Sequence, residues 1–205
     1  PEMEGELGWW GVLIAVMGGA VRVSTPYLFV ALGETLTERA GRVNLGLEGT
    51  LVLGAMTAFA VSYHTGSPWA GVLAAAVAGL LLGALHALIC NLPRVNDIAV
   101  GIALFIFGTG LAFHLGKDYV RPRADMLPGL PLGAWSEIPA VRSALEISPL
   151  FFLGLALALF LQWGLTRTRW GLLLRMAGEN AEAGRALGRS VGAIRLAATA
   201  AGGFL

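Results

Sequence analysis

The residues able to do chemistry fall in a few short stretches of an otherwise apolar chain. The first is Glu38-Arg-Ala-Gly-Arg-Val-Asn-Leu-Gly-Leu-Glu-Gly49, where polar side chains stand directly against an apolar run. Asn44 and Glu48 are four residues apart, which predicts that they share one face of a helix. If the run spans a membrane, an ionisable group there faces either a cavity or a partner. The alternative is a turn in which Glu48 pairs with an arginine. The second stretch is Leu92-Pro-Arg-Val-Asn-Asp-Ile98. Asn96 and Asp97 open whatever helix follows, where such residues cap, and an unwound helix start is also a usual place for solute contacts in transporters. His86 is either a neutral histidine hydrogen-bonded between helices or a solute ligand. The last stretch runs from Arg175 to Arg189. Here Asn180 suits an N-cap, Glu182 the first turn, Arg185 the last turn and Gly188 a left-handed stop. That describes a helix of about two turns, containing Ala183, with Leu187 as its one large apolar residue. It either lies on anionic lipid or docks a cytoplasmic protein.

Nothing in these stretches makes an enzyme. His64, His86 and His114 are far apart and none forms a metal-ligand pair. The phosphate-binding Gly-rich pattern that ends in Lys-Ser/Thr is absent, and no serine or threonine has a base nearby in sequence. No cofactor, metal or nucleic-acid partner is expected. Cys90 is the only cysteine, which excludes an internal disulfide and a cysteine metal cluster.

The elements that must position these residues are apolar. Of 205 residues, 56% are hydrophobic and 13% charged, against about 25% charged in a soluble domain; mean hydropathy is +0.72. So short a chain cannot bury that much apolar surface in one aqueous core, and lipid is the expected solvent. Trp69–Leu92 carries no formal charge, enough to cross a hydrocarbon core of roughly 30 Å. Ile98–Leu115, Pro149–Leu165 and Leu45–Val61 read as further spans. Leu7–Leu36, interrupted by Arg22 and Pro26, reads as a broken or kinked opening segment. The runs are continuously apolar rather than alternating, so they are helices and not barrel strands. The predicted fold is all-α, a polytopic transmembrane bundle. Rows of small residues, Gly71, Ala75, Gly79, Gly83, Ala87 and Gly46, Thr50, Gly54, Ala58, predict flat faces for close helix packing.

Charge sets the orientation. Six arginines lie between Arg167 and Arg195, and the basic side of a membrane protein is cytoplasmic. Alternation then places Arg39, Arg42 and Arg94 inside as well. Lys117, Arg121, Arg123 and Arg142 fall outside, with Asp118, Asp125, Glu137 and Glu146 to offset them. The acidic N-terminus (Glu2, Glu4, Glu6) comes out extracytoplasmic. Ile194–Leu205 begins an apolar run of about half a span, which leads to the expectation that further C-terminal helices belong to the protein.

The order Thr25-Pro26, Ala31-Leu-Gly-Glu34, Glu38-Arg39-Ala-Gly41, Val43-Asn-Leu-Gly-Leu-Glu-Gly49, Gly54-Ala55 is similar to the opening of permeases in the branched-chain amino acid, ribose and nucleoside ABC importer superfamily. The nucleoside and simple-sugar branch is the closest. Thr168-Arg-Trp-Gly171, Arg175, Gly178-Glu179-Asn180 and Gly188 resemble that family's cytoplasmic coupling loop. The resemblance covers nearly the whole chain. It implies one transmembrane permease domain over 1–205, with a coupling loop at 166–193, in a bacterial inner membrane. It further implies a second permease subunit, identical or not, two cytoplasmic ATPase subunits bound through Arg175, Gly178, Glu179, Asn180, Ala183, Leu187 and Gly188, and an extracytoplasmic solute-binding protein. Asn44, Glu48, Asn96 and Asp97 become candidate pathway residues. In one place the chain departs from the branch: Phe105 stands where an Asn is usual, which removes an amide that could read a polar solute. The rival reading is an ion-coupled secondary transporter, with Glu48 or His86 relaying protons and the Asn180 helix left without a task.

Overall fold

A computed structural model describes residues 8–120, 122–131 and 139–205. The acidic N-terminal residues, Arg121 and Glu137, all used above for orientation, lie outside the described residues. The regular structure of the described residues is helical apart from one two-residue strand pair. Its helices are α1 (Gly8–Arg39), α2 (Leu47–Thr65), α3 (Pro68–Cys90), α4 (Asp97–Gly116), α5 (Pro139–Ala144), α6 (Pro149–Arg167), α7 (Arg169–Glu179), α8 (Ala181–Ala186) and α9 (Val191–Phe204). The strands are β1 (Leu130–Pro131) and β2 (Glu146–Ile147), which pair antiparallel.

Among the described residues, four helices are long and apolar enough to cross a membrane: Trp9–Arg39, Pro68–Cys90, Asp97–Tyr119 and Pro149–Arg167. The second, third and fourth match the expected spans. In the first, Pro26 lies inside one helix, so of the broken or kinked opening segment expected there the break is not found. Pro26 has no N–H to donate to the Arg22 carbonyl four residues back, and prolines are tolerated within membrane helices. Ser24 and Thr25, beside it, both donate to the carbonyl of Val21, at 3.0 and 2.9 Å. α2, expected as a span, is long enough but is not among these four. It packs against both α3 and α4.

The chain divides into two compact units. The larger comprises Phe29–Met126 and Leu159–Leu205. One of its cores gathers Leu36, Ala40, Leu161, Leu165, Leu174 and Ala198; another gathers Leu53, Leu82 and Ala112. Glycines set the helix spacing. Gly79 lies against the backbone of Gly203, Gly83 against Thr199, and Gly33 against Gly202. α9 is thereby held between α1 and α3 at backbone contact. The five-member row on α3 therefore does not make a single face. Gly71 and Ala75 meet α2 at Ala58 and Gly54, whereas Gly79 and Gly83 meet α9. Four residues advance a helix by about 400°, so each step drifts about 40° and five members turn through about 160°. One row can thus serve two neighbours. At the far end of α2, Tyr63 and His64 pack edge-on with Tyr119, whose hydroxyl lies 2.8 Å from His64 Nε2. Aromatic side chains with polar tips suit a membrane interface.

The smaller unit comprises Pro1–Leu28 and Leu127–Ala158. In it Gly18 of α1 lies against the backbone of Ala144, and the short β pair brings Leu130 opposite Ile147.

Candidate functional site

The turn after α1 carries the first group of candidates. α1 ends at Arg39, and Gly41 takes the left-handed conformation (φ 79°) that few other residues accept. The chain then runs irregularly to Leu47. Asn44 therefore precedes α2 rather than lying in it, and the expected shared helical face with Glu48 does not form. Asn44 is 4% exposed. Its side-chain oxygen accepts from Gly46 N (3.0 Å), and its own N–H donates to Glu34 Oε1 (3.0 Å). It is a turn-former, as Asn often is through bonds to its own following backbone. Glu48 occupies the first turn of α2 and is exposed, with no hydrogen bond or ion pair to another described residue. The alternative of an arginine partner for Glu48 is therefore not realised among the described residues.

Arg42 uses its charge elsewhere. Its Nη1 lies 2.7 Å from Asp97 Oδ1, and its Nη2 donates to Asn91 Oδ1 at 2.9 Å. Asp97 is thus paired, at the first position of α4. Asn96 is the cap of that helix, its side-chain oxygen accepting from Ile98 N and Ala99 N at 2.8 and 3.2 Å. His86 is fully buried one turn before the end of α3, with Nε2 3.3 Å from the Asp97 carbonyl. That favours the histidine bonded between helices over the solute ligand. The structure so brings Asp97, Asn96 and His86 to one end of the larger unit, with the Arg42 turn.

The segment 166–193 begins at a sharp corner. Thr168 Oγ1 donates to Gly164 O at 2.6 Å and accepts from Gly171 N at 3.2 Å, closing α6 and opening α7. Gly171 has no room for a side chain, since a Cβ would meet the carbonyls of Leu165 and Gly164. These contacts give a physical role to the Thr168-Arg-Trp-Gly171 motif. Asn180 Oδ1 accepts from Ala183 N at 2.9 Å, and α8 ends where Gly188 turns left-handed (φ 70°). Gly188 N and Arg189 N donate to the carbonyls of Arg185 and Gly184, at 2.9 and 3.0 Å. This paired arrangement is the usual glycine stop of a helix. The expected two-turn helix with both its caps is therefore present. Gly184 is buried between Met176 and Val191 of the same chain, while Leu187 is 72% exposed. Arg175 is partly buried, and its Nε has no partner among the described residues. Glu179 is exposed at the end of α7.

Three functional candidates escaped the sequence reading. Arg195 and Asn91 join the elements at this end: Arg195 donates to Ala40 O (3.1 Å) and Ala177 O (2.8 Å), and Asn91 Nδ2 donates to Gly192 O (3.1 Å). Glu34 reaches the Asn44 turn. Arg195 and Glu34 each carried a signal, a charge inside an apolar run, whereas Asn91 carried none.

The sequence matches, over residues 15–205, the family described as branched-chain amino acid transport system / permease component. It is 33% identical over 201 residues to a protein of Haloferax volcanii named "Putative glucose ABC transporter permease protein TsgC13", covering 92% of this chain and 59% of the relative. It is 30% identical to the nucleoside ABC transporter permease protein NupC of Lactococcus lactis, covering 89% and 61%. It is 29% identical to the guanosine ABC transporter permease protein NupQ of Bacillus subtilis, covering 88% and 60%. The chain thus spans about three fifths of the length of the curated relatives it matches. No solved structure matches it significantly.

Proposed function

Since the chain belongs to the branched-chain amino acid transport system permease family, we propose that it forms half of the membrane pathway of an ATP-driven importer for a small polar solute. A nucleoside or a simple sugar is the expected cargo, the solutes that the three relatives' names carry. The observation that carries the reading is the family match across nearly the whole described chain. It is supported by the doubly capped α8, which leaves Leu187 exposed beside the spans.

In this reading two permease subunits enclose the pathway, and a solute-binding protein delivers cargo from the extracytoplasmic side. Residues 166–193 face the cytoplasm and dock an ATPase subunit, with Arg175, Gly178, Glu179, Asn180, Ala183, Leu187 and Gly188 at or beneath the contact. The N-terminus is extracytoplasmic, and 1–205 forms part of one transmembrane domain in a bacterial inner membrane. ATP binding and hydrolysis on the partner drive alternation between outward-open and inward-open forms. Of the pathway candidates, Glu48 keeps the strongest case, being exposed and uncommitted. Asn44, Asn96 and Asp97 act chiefly by holding the helix ends that border the pathway.

Uptake tests this directly. Cells expressing the full-length permease with its ATPase are expected to accumulate labelled guanosine or glucose, with accumulation abolished by a Walker-lysine mutation in the ATPase. Accumulation that survives that mutation and collapses with a protonophore would establish the ion-coupled reading instead.

A further inference from the structure

The end of the larger unit that carries the coupling segment holds more polar structure than capping requires. α1 and α7 both finish there, and each leaves carbonyls without helical partners. Arg195, in the second turn of α9, donates to one from each end region: Ala40 O at 3.1 Å and Ala177 O at 2.8 Å. Both lie at the negative ends of helix dipoles, where a cation is favoured. A planar guanidinium offers several donors in fixed directions, so one side chain can hold two carbonyls at once.

Direct backbone contact closes the same joint. A Cβ on Gly178 would stand 2.5 Å from Arg39 O and 3.1 Å from Gly41 N; one on Gly41 would stand 2.7 Å from Gly178 Cα. The last turn of α7 and the α1–α2 turn are therefore seated backbone to backbone. From that turn, Arg42 reaches on to Asp97 at the head of α4 and to Asn91 at the foot of α3. Asn91 in turn bonds Gly192 O at the start of α9, which returns the chain of contacts to Arg195. The path is closed: α7, α1, α3, α4 and α9 are joined through Arg195, Arg42, Asp97 and Asn91.

We infer that this ring is the transmission of the transporter, and that Arg195 is its positioning residue. Movement of α7 and α8 imposed by a docked ATPase is delivered through Arg195 and the Gly41–Gly178 seat to the ends of α1, α3 and α4. These ends then move together rather than one by one. The inference rests on the permease reading above and names the residues of this chain that carry its coupling. A contiguous contact path alone is spatial; coupling requires an element that both partners bias, which is what the experiment measures.

The probe is a Val43→Cys thiol in a Cys90→Ser background, since Val43 is exposed in the α1–α2 turn and Cys90 is buried. Full-length permease is purified with its ATPase, and the maleimide labelling rate is read with and without ATP–vanadate. The ratio of the two rates is expected to depart from one by at least about twofold, the lower end of typical coupling energies. In Arg195→Met it is expected to move most of the way back to one while the ATPase still co-purifies, the Gly41–Gly178 seat carrying the remainder. Arg195→Lys keeps the cation but loses the two-carbonyl grip, so it should give an intermediate ratio; it also serves if the methionine variant does not fold. A ratio unchanged in both variants, or a ratio of one in the parent protein, overturns the inference. Failure of any ATPase to co-purify with the parent would instead overturn the permease reading on which the inference stands.

Discussion

Adding one methyl group at Gly79 isolates what the glycine seats contribute. The Cβ of an alanine at Gly79 would fall inside contact distance of the Gly203 carbonyl and 3.2 Å from Thr50 Cγ2. The first of these is backbone, so relief requires α9 to move away from α3. Overpacking of this kind costs about 1–3 kcal/mol. Against it stands the helix preference of alanine over glycine, about 0.5–1 kcal/mol. Gly110 in α4 supplies the control, because a Cβ there meets nothing within 4 Å. The preference is common to both positions, so the difference between Gly79→Ala and Gly110→Ala is the overpacking cost itself. At about 2–4 °C per kcal/mol for a chain of this size, the two variants should melt roughly 2–12 °C apart in detergent, followed by helical circular dichroism. Gly110→Ala should match or exceed the parent. If Gly79→Ala melts with or above Gly110→Ala, α3 and α9 are not in backbone contact, and the packing described here is wrong.

Leu187→Glu changes a 72% exposed side chain and should alter stability by less than about 0.5 kcal/mol. It should nevertheless abolish pull-down of the ATPase; normal retention would leave α8 a helix lying on lipid. Glu48→Gln keeps volume and removes charge, and the loss of a carboxylate from the first turn of α2 costs only about 0.3–1 kcal/mol. Expression should be normal and solute uptake reduced severalfold, whereas unchanged uptake returns Glu48 to a helix-end role. A Ser136→Cys thiol in a Cys90→Ser background lies outside the described residues but inside the loop that joins α4 to α6. An impermeant maleimide applied to intact cells should label it, and labelling only after the inner face is opened would invert the orientation.

The spans at α3, α4 and α6 were legible because each is a long, nearly uncharged run, and α8 because every one of its stop and start signals is local. Asn180, Gly184, Arg185 and Gly188 act within nine residues of one another. At Pro26 the sequence left a break and a kink open, because a proline signals a lost backbone bond without saying whether the helix resumes beyond it. The spacing of Asn44 and Glu48 misled. A four-residue spacing implies a shared face only once both residues are helical, and Gly41 and the Glu34 carboxylate hold this turn open instead. The Arg195 and Arg42 bridges link positions as far as 155 residues apart. No periodicity or cap signal encodes such a pairing. Even so, Arg195 within an apolar run marked a place where a partner had to exist. The same limit applies to the small-residue rows, which announced close packing without saying that the α3 row divides between α2 and α9.

The seating of α9 also orders events during synthesis. Its glycines meet Gly33 on α1 and Gly79 and Gly83 on α3, positions made more than a hundred residues earlier. At about 5–20 residues per second, the grooves on α1 and α3 wait on the order of 6–30 s for their occupant. A nascent chain paused before Val191 would therefore present two glycine-lined grooves to the bilayer, open to any helix small enough to enter. Timely arrival of α9 is what keeps them from being taken by another.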